Sequence, residues 1–248
     1  MKEKKRLPNL TITIPVLNEE KTLINRIEIL QAHIKSKLSN KVSTSIVIAD
    51  NGSNDKTLEL GNKLSEENEN IYLISIKEKG VGLALKKSWS KYQSEIMGYM
   101  DLDLATDLSH IEEAVDIILN QDHKVVNGSR LMKESKVHGR KFIRNIASIT
   151  FNKILKLLFN VKFSDGMCGF KFFQGDVMGI LGGPKSIHSN GWFFATEFLI
   201  LLESSNIKIK DIPVKWTDDP HSKVKIIKLT FQYLYEMMLL KLRFYLKK

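Results

Sequence analysis

The sequence predicts a three-layer α/β/α sandwich around a mostly parallel central sheet. Three observations lead there: β-branched runs alternate with amphipathic helical stretches, the alternation has the spacing of βαβ units, and each run ends in a polar cluster. LTITIPV (10–16) reads as the first strand, and Leu23, Ile27, Leu30, Ile34 and Leu38 form the apolar stripe of the helix after it. STSIVIAD (43–50) is the second strand, closed by the turn-rich Asn51-Gly52-Ser53-Asn54-Asp55. A helix over 55–66, a strand over 71–76, a helix over 82–93 and a buried strand over 95–100 follow. Asp107 is placed to cap a helix running to about Asn120, and KVVNGS (124–129) is the next strand.

After Arg130 the pattern changes. A basic stretch of loop and helix, roughly 131–159, precedes FSDGMCGFKFF, then come a helix over 195–205, a strand over 207–214 and a last helix. No Pro-, Gly- or Ser-rich linker, internal repeat or low-complexity tract interrupts the 248 residues. The expected division is therefore one catalytic domain over 1–223 followed by a basic amphipathic helix over 224–248.

Composition excludes several classes. A chain that is 43% hydrophobic and 27% charged is neither disordered nor a polytopic membrane protein. Its one cysteine, Cys168, cannot form an internal disulfide, and the first residues lack the apolar stretch of a signal peptide. The expectation is a cytoplasmic protein resting on the cytosolic face of a membrane. The net charge of +10 is concentrated at the ends: Lys2, Lys4, Lys5 and Arg6 at one, and Lys225, Lys228, Lys241, Arg243, Lys247 and Lys248 at the other. Basic ends on a near-neutral body suit anionic lipid better than nucleic acid, which would call for a basic face within the fold.

In an open α/β sheet, ligands bind beyond the carboxyl ends of the strands. Asn18-Glu19-Glu20, Asp50-Asn51-Gly52-Ser53, Lys79-Gly80-Val81-Gly82, Asp101-Leu102-Asp103 and Asn127-Gly128-Ser129-Arg130 all sit at such ends. Asp101 and Asp103 form the sharpest element. Two residues apart in extended chain, they share a face and can meet one hard cation that also bridges phosphate oxygens, as Mg²⁺ or Mn²⁺ does. The late K-G-V-G lacks the third glycine of a dinucleotide fingerprint, and there is no P-loop, zinc-ligand spacing or G-x-S-x-G. The chemistry left is binding of a nucleoside diphosphate with a divalent metal.

IPVLNEEK, ADNGSNDKT, KGVGLALKKSW, GYMDLDLATDL and NGSR, in that order, resemble a family 2 glycosyltransferase of the GT-A fold. SDGMCGFKFF, GWFFATEFL, DIPVKWTDDPHSKV and LKLRFYL resemble its polyprenyl- or dolichyl-phosphate branch, and among these the dolichyl-phosphate glucosyltransferase-like members. The resemblance implies that Pro15, Asn18, Glu19, Asp50 and Gly52 hold the nucleoside, with Lys79 and Gly80 near base and ribose. It implies metal and diphosphate on Asp101 and Asp103, with Asp101, Asp103, Arg130 and Asp165 as the catalytic set. It further implies an acceptor phosphate faced by Arg130, Arg144 and Ser148, with Asp165, Lys171, Glu197, Ser222 and Lys223 closing the site. Two places depart from the pattern. Ala195 stands where relatives commonly carry Asp, and the loop 217–223 lacks the Arg that mannosyl-type relatives place before the Ser-Lys pair.

The reaction so implied is inverting transfer of a hexose, UDP-glucose being the favoured donor, to the phosphate of a polyprenyl or dolichyl lipid. Such a phosphate has a second pKa of about 6 and needs no strong base. It needs cations, and the segment between Lys136 and Lys162 has no acidic sequence neighbour to neutralise Arg144. No stretch offers the ~20 apolar residues of a membrane span. The last helix, with Ile226, Ile227, Phe231, Leu234, Met238 and Leu242 on one face, is suited to lying in the interface or to docking on the core, a second copy or a membrane partner. Two other readings stay open: a transferase acting on a soluble glycan or wall polymer, and a non-catalytic nucleotide-binding subunit.

Overall fold

The computed structural model describes residues 6–218 and 226–246. Its first half is the expected alternation: β1 (Asn9–Val16), α1 (Leu23–Lys37), β2 (Ser43–Asp50), α2 (Thr57–Glu67), β3 (Ile71–Ser75), α3 (Val81–Lys91), β4 (Ile96–Met100), α4 (Ser109–Asn120) and β5 (Val125–Ser129). The second half adds β6 (Lys136–His138), α5 (Phe142–Phe159), β7 (Phe170–Gln174), the short α6 (Val177–Ile180), α7 (Phe194–Ser204), β8 (Ile209–Pro213), β9 (Lys215–Thr217) and α8 (Ile226–Leu246). The Asp107 carboxylate accepts the Ser109 backbone N–H at 2.9 Å, just ahead of α4.

Seven strands form the central sheet in the order β3-β2-β1-β4-β7-β5-β8. All pairings are parallel except those of β7, which runs antiparallel to both β4 and β5. The order turns back between β1 and β4, so the ends of β1, β2 and β4 diverge around a crevice, the usual ligand position in such sheets. A separate parallel pair, β6 with β9, closes one side, and Thr106 bridges to Trp216 of β9.

Side-chain alternation builds a core on each face. Leu10, Ile12, Ile14 and Val16 of β1 pack with Ile46 and Ile48 of β2 against Leu23, Ile27 and Leu30 of α1 and Ile111, Val115 and Ile118 of α4. The other face is aromatic: Trp89 of α3 lies 4.9 Å from the Phe173 ring and 5.3 Å from those of Phe194 and Phe198. Helix α8 seats Tyr233, Met237 and Leu240 in this second core, while its Phe231, Tyr235 and Met238 stay exposed.

The antiparallel β7 is the main departure from the sequence reading, which assigned FSDGMCGFKFF no strand. Its Phe170, Phe172 and Phe173 bury on alternate faces of the sheet, so the aromatic run is core rather than site. Phe198 is fully buried with its ring 4.9 Å from that of Phe173. Phe198→Ala is expected to destabilise the fold by about 3–5 kcal/mol, read as a shift in urea unfolding midpoint at unchanged slope.

Candidate active site

The parallel register aligns the strand ends: Val16 lies opposite Asp50, and Asp50 opposite Ser75. Asp50 is buried, accepting the Ser53 N–H at 3.3 Å and the Ser75 hydroxyl at 3.1 Å. Next to it, Asn51 Oδ1 accepts the Gly80 N–H. A side chain at position 80 would meet the Asn190 carbonyl oxygen at 2.6 Å, so only glycine lets the 187–191 loop approach. Asn18 adopts φ 55, its Oδ1 accepting the Asn54 N–H at 2.8 Å, and the Glu19 N–H donates to Thr57 Oγ1 at 2.7 Å. Pro15, Asn18, Glu19, Asp50, Gly52 and Gly80 therefore gather at one end of the sheet, with Lys79 exposed at the rim.

Asp101 and Asp103 stand at the same end, beyond β4. Asp103 Oδ1 accepts the Ala105 N–H at 3.0 Å, and the loop turns at Leu104 with φ 53. A Cβ at Gly169 would land on the Asp101 carboxylate, so the loop leading into β7 cradles this group closely. Burial, and then the charge of Asp103, push Asp101 up to about 7, with Arg130 and Lys171 pulling the other way. Two carboxylates held together against their own repulsion suit a hard dication that takes one or two protein oxygens and leaves its remaining positions to phosphate.

The Arg130–Asp165 pair lies alongside. Arg130 Nε and Nη2 donate to the two Asp165 oxygens at 2.7 and 3.0 Å, and the N–H groups of Arg130 and Met167 add bonds of 3.2 and 3.0 Å. Burial works to raise the Asp165 pKa, but the Arg130 charge and its hydrogen bonds outweigh it and hold the carboxyl down to about 2. The 164–169 loop is fixed from both helical sides: Gly166 N–H donates to Asn152 Oδ1 of α5 at 2.9 Å, and the Thr196 hydroxyl of α7 donates to the Gly166 carbonyl at 3.0 Å.

Several acceptor-side expectations change here. Arg144 is not a cation without an acidic neighbour: Nη1 donates to both oxygens of Asp218 at 2.9 and 3.2 Å, because the β6–β9 pairing carries position 218 to it. Lys171 is fully buried on β7, donating to the Cys168 carbonyl at 2.6 Å, and its charge acts on Asp101 and Asp165 from within the core. Glu197 is buried as well, accepting the His188 and Ser189 N–H groups at 3.1 and 2.8 Å and Arg243 of α8 at 3.1 Å. Ala195 sits in the second core cluster. Ser148 is buried and accepts a hydrogen bond from Arg140, while Ser222 and Lys223 lie outside the described residues. Arg140, Trp216 and Asp218 escaped the sequence reading; WTDD, an aromatic beside two acids, was the signal available.

A family profile described as Glycosyl transferase family 2 matches residues 11–179. The chain belongs to glycosyltransferase family 2. The matched region carries every strand end described above, and the glycosyltransferase has the GT-A sandwich of its structural neighbours. It is 30% identical over 246 residues to dolichyl-phosphate beta-glucosyltransferase of Dictyostelium discoideum, covering 91% of this chain and 75% of that one. It is also 27% identical over 219 residues to glycosyltransferase AglD of Haloferax volcanii, covering 88% of this chain but only 34% of AglD. Among solved structures, glucosyl-3-phosphoglycerate synthase from Mycobacterium tuberculosis, in complex with Mn²⁺, UDP and glucosyl-3-phosphoglycerate, aligns with a TM-score of 0.68 at 14% identity. That alignment covers 94% of this chain and 80% of that one.

The Asp101 environment makes a sign-definite prediction. A carboxyl whose folded pKa exceeds its ordinary 3.8 favours folding below that value and loses this contribution as pH rises through about 7. In chelator at about pH 8, Asp101→Asn is therefore expected to melt at a higher temperature than the parent, and the gap should narrow as the pH is lowered through about 7 and close only below 3.8, where the acid is neutral in both the folded and the unfolded chain. An equal or lower melting temperature at the higher pH would contradict the assigned charge strain.

Proposed function

We propose that this glycosyltransferase moves glucose from UDP-glucose to the phosphate of a polyprenyl or dolichyl lipid at a membrane surface. The observation that carries the reading is a juxtaposition: the arginines around Arg130 lie beside the two-carboxylate loop, and the helix that follows them, α5, begins with exposed apolar residues. Phe142 is 77% exposed and Ile143 69%, and on the neighbouring α8 Phe231 is 70% exposed. An acceptor with an anionic head and an apolar tail matches cations set next to an uncovered apolar surface. Similarity to dolichyl-phosphate beta-glucosyltransferases of Dictyostelium discoideum and Saccharomyces cerevisiae supports the same acceptor. Among the described residues no helix is long and apolar enough to cross a membrane, so the reading places the protein peripherally, with α5 and α8 against the lipid.

On the donor side, Pro15, Asn18, Glu19, Asp50, Gly52, Lys79 and Gly80 hold the nucleoside and ribose. Asp101 and Asp103 are the residues that would hold Mg²⁺ or Mn²⁺. Their oxygen donors and mutual repulsion fit such an ion, which when bound supplies Lewis-acid neutralisation of the departing diphosphate. Complexes of the mycobacterial synthase with Mn²⁺ and UDP-glucose support a dication and this donor.

In the transfer, a lipid-phosphate oxygen attacks the anomeric carbon. The new C1–O bond forms as the bond from C1 to the UDP β-phosphate oxygen breaks, and that electron pair leaves with UDP. The acceptor is mostly dianionic above its second pKa of about 6, so no proton has to be removed. Charge balances as well: one negative charge passes from the acceptor, now a diester, to UDP. Attack opposite the leaving group turns the α-linked donor into a β-linked product. Arg130, fixed by Asp165, supplies positive potential near Asp101 without moving.

The test is incubation of the protein with radiolabelled UDP-glucose and polyprenyl phosphate, reading label in the organic phase. Label should transfer, cease in excess chelator and return with Mg²⁺ or Mn²⁺, and Asp103→Ala should resemble the chelated enzyme. Turnover in full chelator would remove the metal role. Label entering only water-soluble glycan would overturn the lipid acceptor.

A further inference from the structure

Two arginine side chains lie over one indole. Trp216 of β9 has the Arg130 guanidinium carbon 5.5 Å and the Arg140 guanidinium carbon 5.7 Å from its ring centroid, and its strand is bridged to Thr106, three residues past Asp103. Arg144 is nearby on the Asp218 carboxylate. The three guanidinium groups are not equally engaged. Arg130 is matched by both oxygens of Asp165, and Arg144 takes both oxygens of Asp218. Arg140 pairs with no carboxylate among the described residues: Nη2 donates to Ser148 Oγ, and Nη1 is buried with no hydrogen-bond partner.

A buried guanidinium nitrogen without an acceptor is costly, and native proteins rarely leave one so. Among the described residues no acceptor meets it. Burial, and then repulsion from Arg130, lower the Arg140 pKa to about 10, while the attraction of Asp165 and Asp218 only partly offsets them. The aromatic face and the Ser148 hydroxyl meanwhile hold the side chain in place, so it is ordered yet incompletely bonded. Ser148, having accepted from Arg140, keeps its own O–H proton to donate. A fixed planar fork with one donor to give, beside a hydroxyl with another, is suited to two oxygens of a phosphomonoester dianion.

We infer that Arg140, a residue outside the resemblance-derived acceptor set, is the principal donor to the acceptor's phosphate, through Nη1 and with Ser148 beside it. On this inference Arg130 and Arg144, each held by its own carboxylate, shape and charge the site without giving up their partners. The inference rests on the proposed transfer to a phosphate acceptor and adds the side chain that grips it. Its chemistry is that of any phosphomonoester, whether lipid-borne or soluble.

The test uses Arg140→Gln and Arg140→Lys in the full chain. With UDP-glucose saturating, Arg140→Gln should lower kcat/KM for polyprenyl phosphate roughly 10- to 150-fold, chiefly through KM, the range of one charge-assisted hydrogen bond. UDP affinity by calorimetry should not change. Arg140→Lys should recover part of the loss, since a point charge replaces the fork incompletely. If Arg140→Gln is poorly folded by thermal melting, the Arg140→Lys comparison carries the test, with a smaller rise in KM for polyprenyl phosphate expected and parental KM counting against the inference.

A second arm separates this inference from the function on which it rests. Inorganic phosphate, titrated calorimetrically into the UDP-loaded protein, should bind the parent at least tenfold more tightly than Arg140→Gln, using the lower bound of the same bond. If the parent transfers nothing to polyprenyl phosphate but binds inorganic phosphate through Arg140, the lipid reading fails and the phosphate grip stands. Transfer to glycerol 3-phosphate with the same Arg140 dependence would identify a soluble acceptor. Folded variants with parental KM for polyprenyl phosphate and parental phosphate affinity would overturn the inference, as would loss of UDP binding with acceptor KM intact.

Discussion

The Arg130–Asp165 ion pair is the constraint on which the rest of the site depends. Asp165 is wholly buried, and its two oxygens take hydrogen bonds from the Arg130 guanidinium, the Arg130 N–H and the Met167 N–H. Such a pair need not add net stability, because desolvation consumes much of the Coulombic gain. Removing one partner is different: it strands the other charge in the interior, at a cost of about 3–5 kcal/mol. The pair therefore acts as a clamp. It joins the end of β5 to the loop that leads into β7, and that loop carries Gly169 against the Asp101 carboxylate. Position, more than energy, is what it provides.

From this clamp the charges alternate outward. Asp101 and Asp103 form a concentrated negative pair, partly offset by Arg130 and by the buried Lys171. Next come the cations around Trp216, two of them answered by Asp165 and Asp218 and one left with a free donor. A negative pair that favours a dication stands beside cations that favour an anion. This is the arrangement required to bring together two phosphate-bearing substrates that repel each other. The proposed reaction asks for no dedicated base, since a phosphomonoester acceptor would arrive already ionised.

The front half of the fold was legible because its signals are local. Alternating Leu10, Ile12, Ile14 and Val16, or the helical stripe from Leu23 to Ile34, declare an element and its buried face within one stretch of chain. The polar clusters at the strand ends could be gathered by the parallel-sheet rule alone, and the structure brings Asp50, Asn51 and Gly80 together at one end. What could not be read was anything set by pairing across the chain. The antiparallel β7 looked like a glycine-containing motif because its partners β4 and β5 lie outside that stretch. Arg144 looked uncompensated because Asp218 is distant in sequence and reaches it only through two three-residue strands. Lys171 and Glu197, charged residues ordinarily placed at a surface, are buried by the strand and helix that carry them.

Glu197 shows how the far side of the molecule is tied to this arrangement. Its carboxylate joins Arg243 of α8 to the N–H groups of His188 and Ser189. The loop so held presents the Asn190 carbonyl to the space above Gly80, while Lys86 of α3 donates to the Ile187 carbonyl at 3.1 Å. Gly80 in turn donates to Asn51, next to Asp50. A run of hydrogen bonds and close contacts thus leads from the helix with the exposed Phe231 and Met238 to the end of the sheet proposed to hold the nucleoside. Because α8 is also anchored by Tyr233, Met237 and Leu240, it cannot shift as a body without disturbing both the aromatic core and the Glu197 knot. The exposed apolar side of α8 is therefore presented by a rigid element. Its orientation relative to the Asp101 loop is fixed by the same packing that builds the fold.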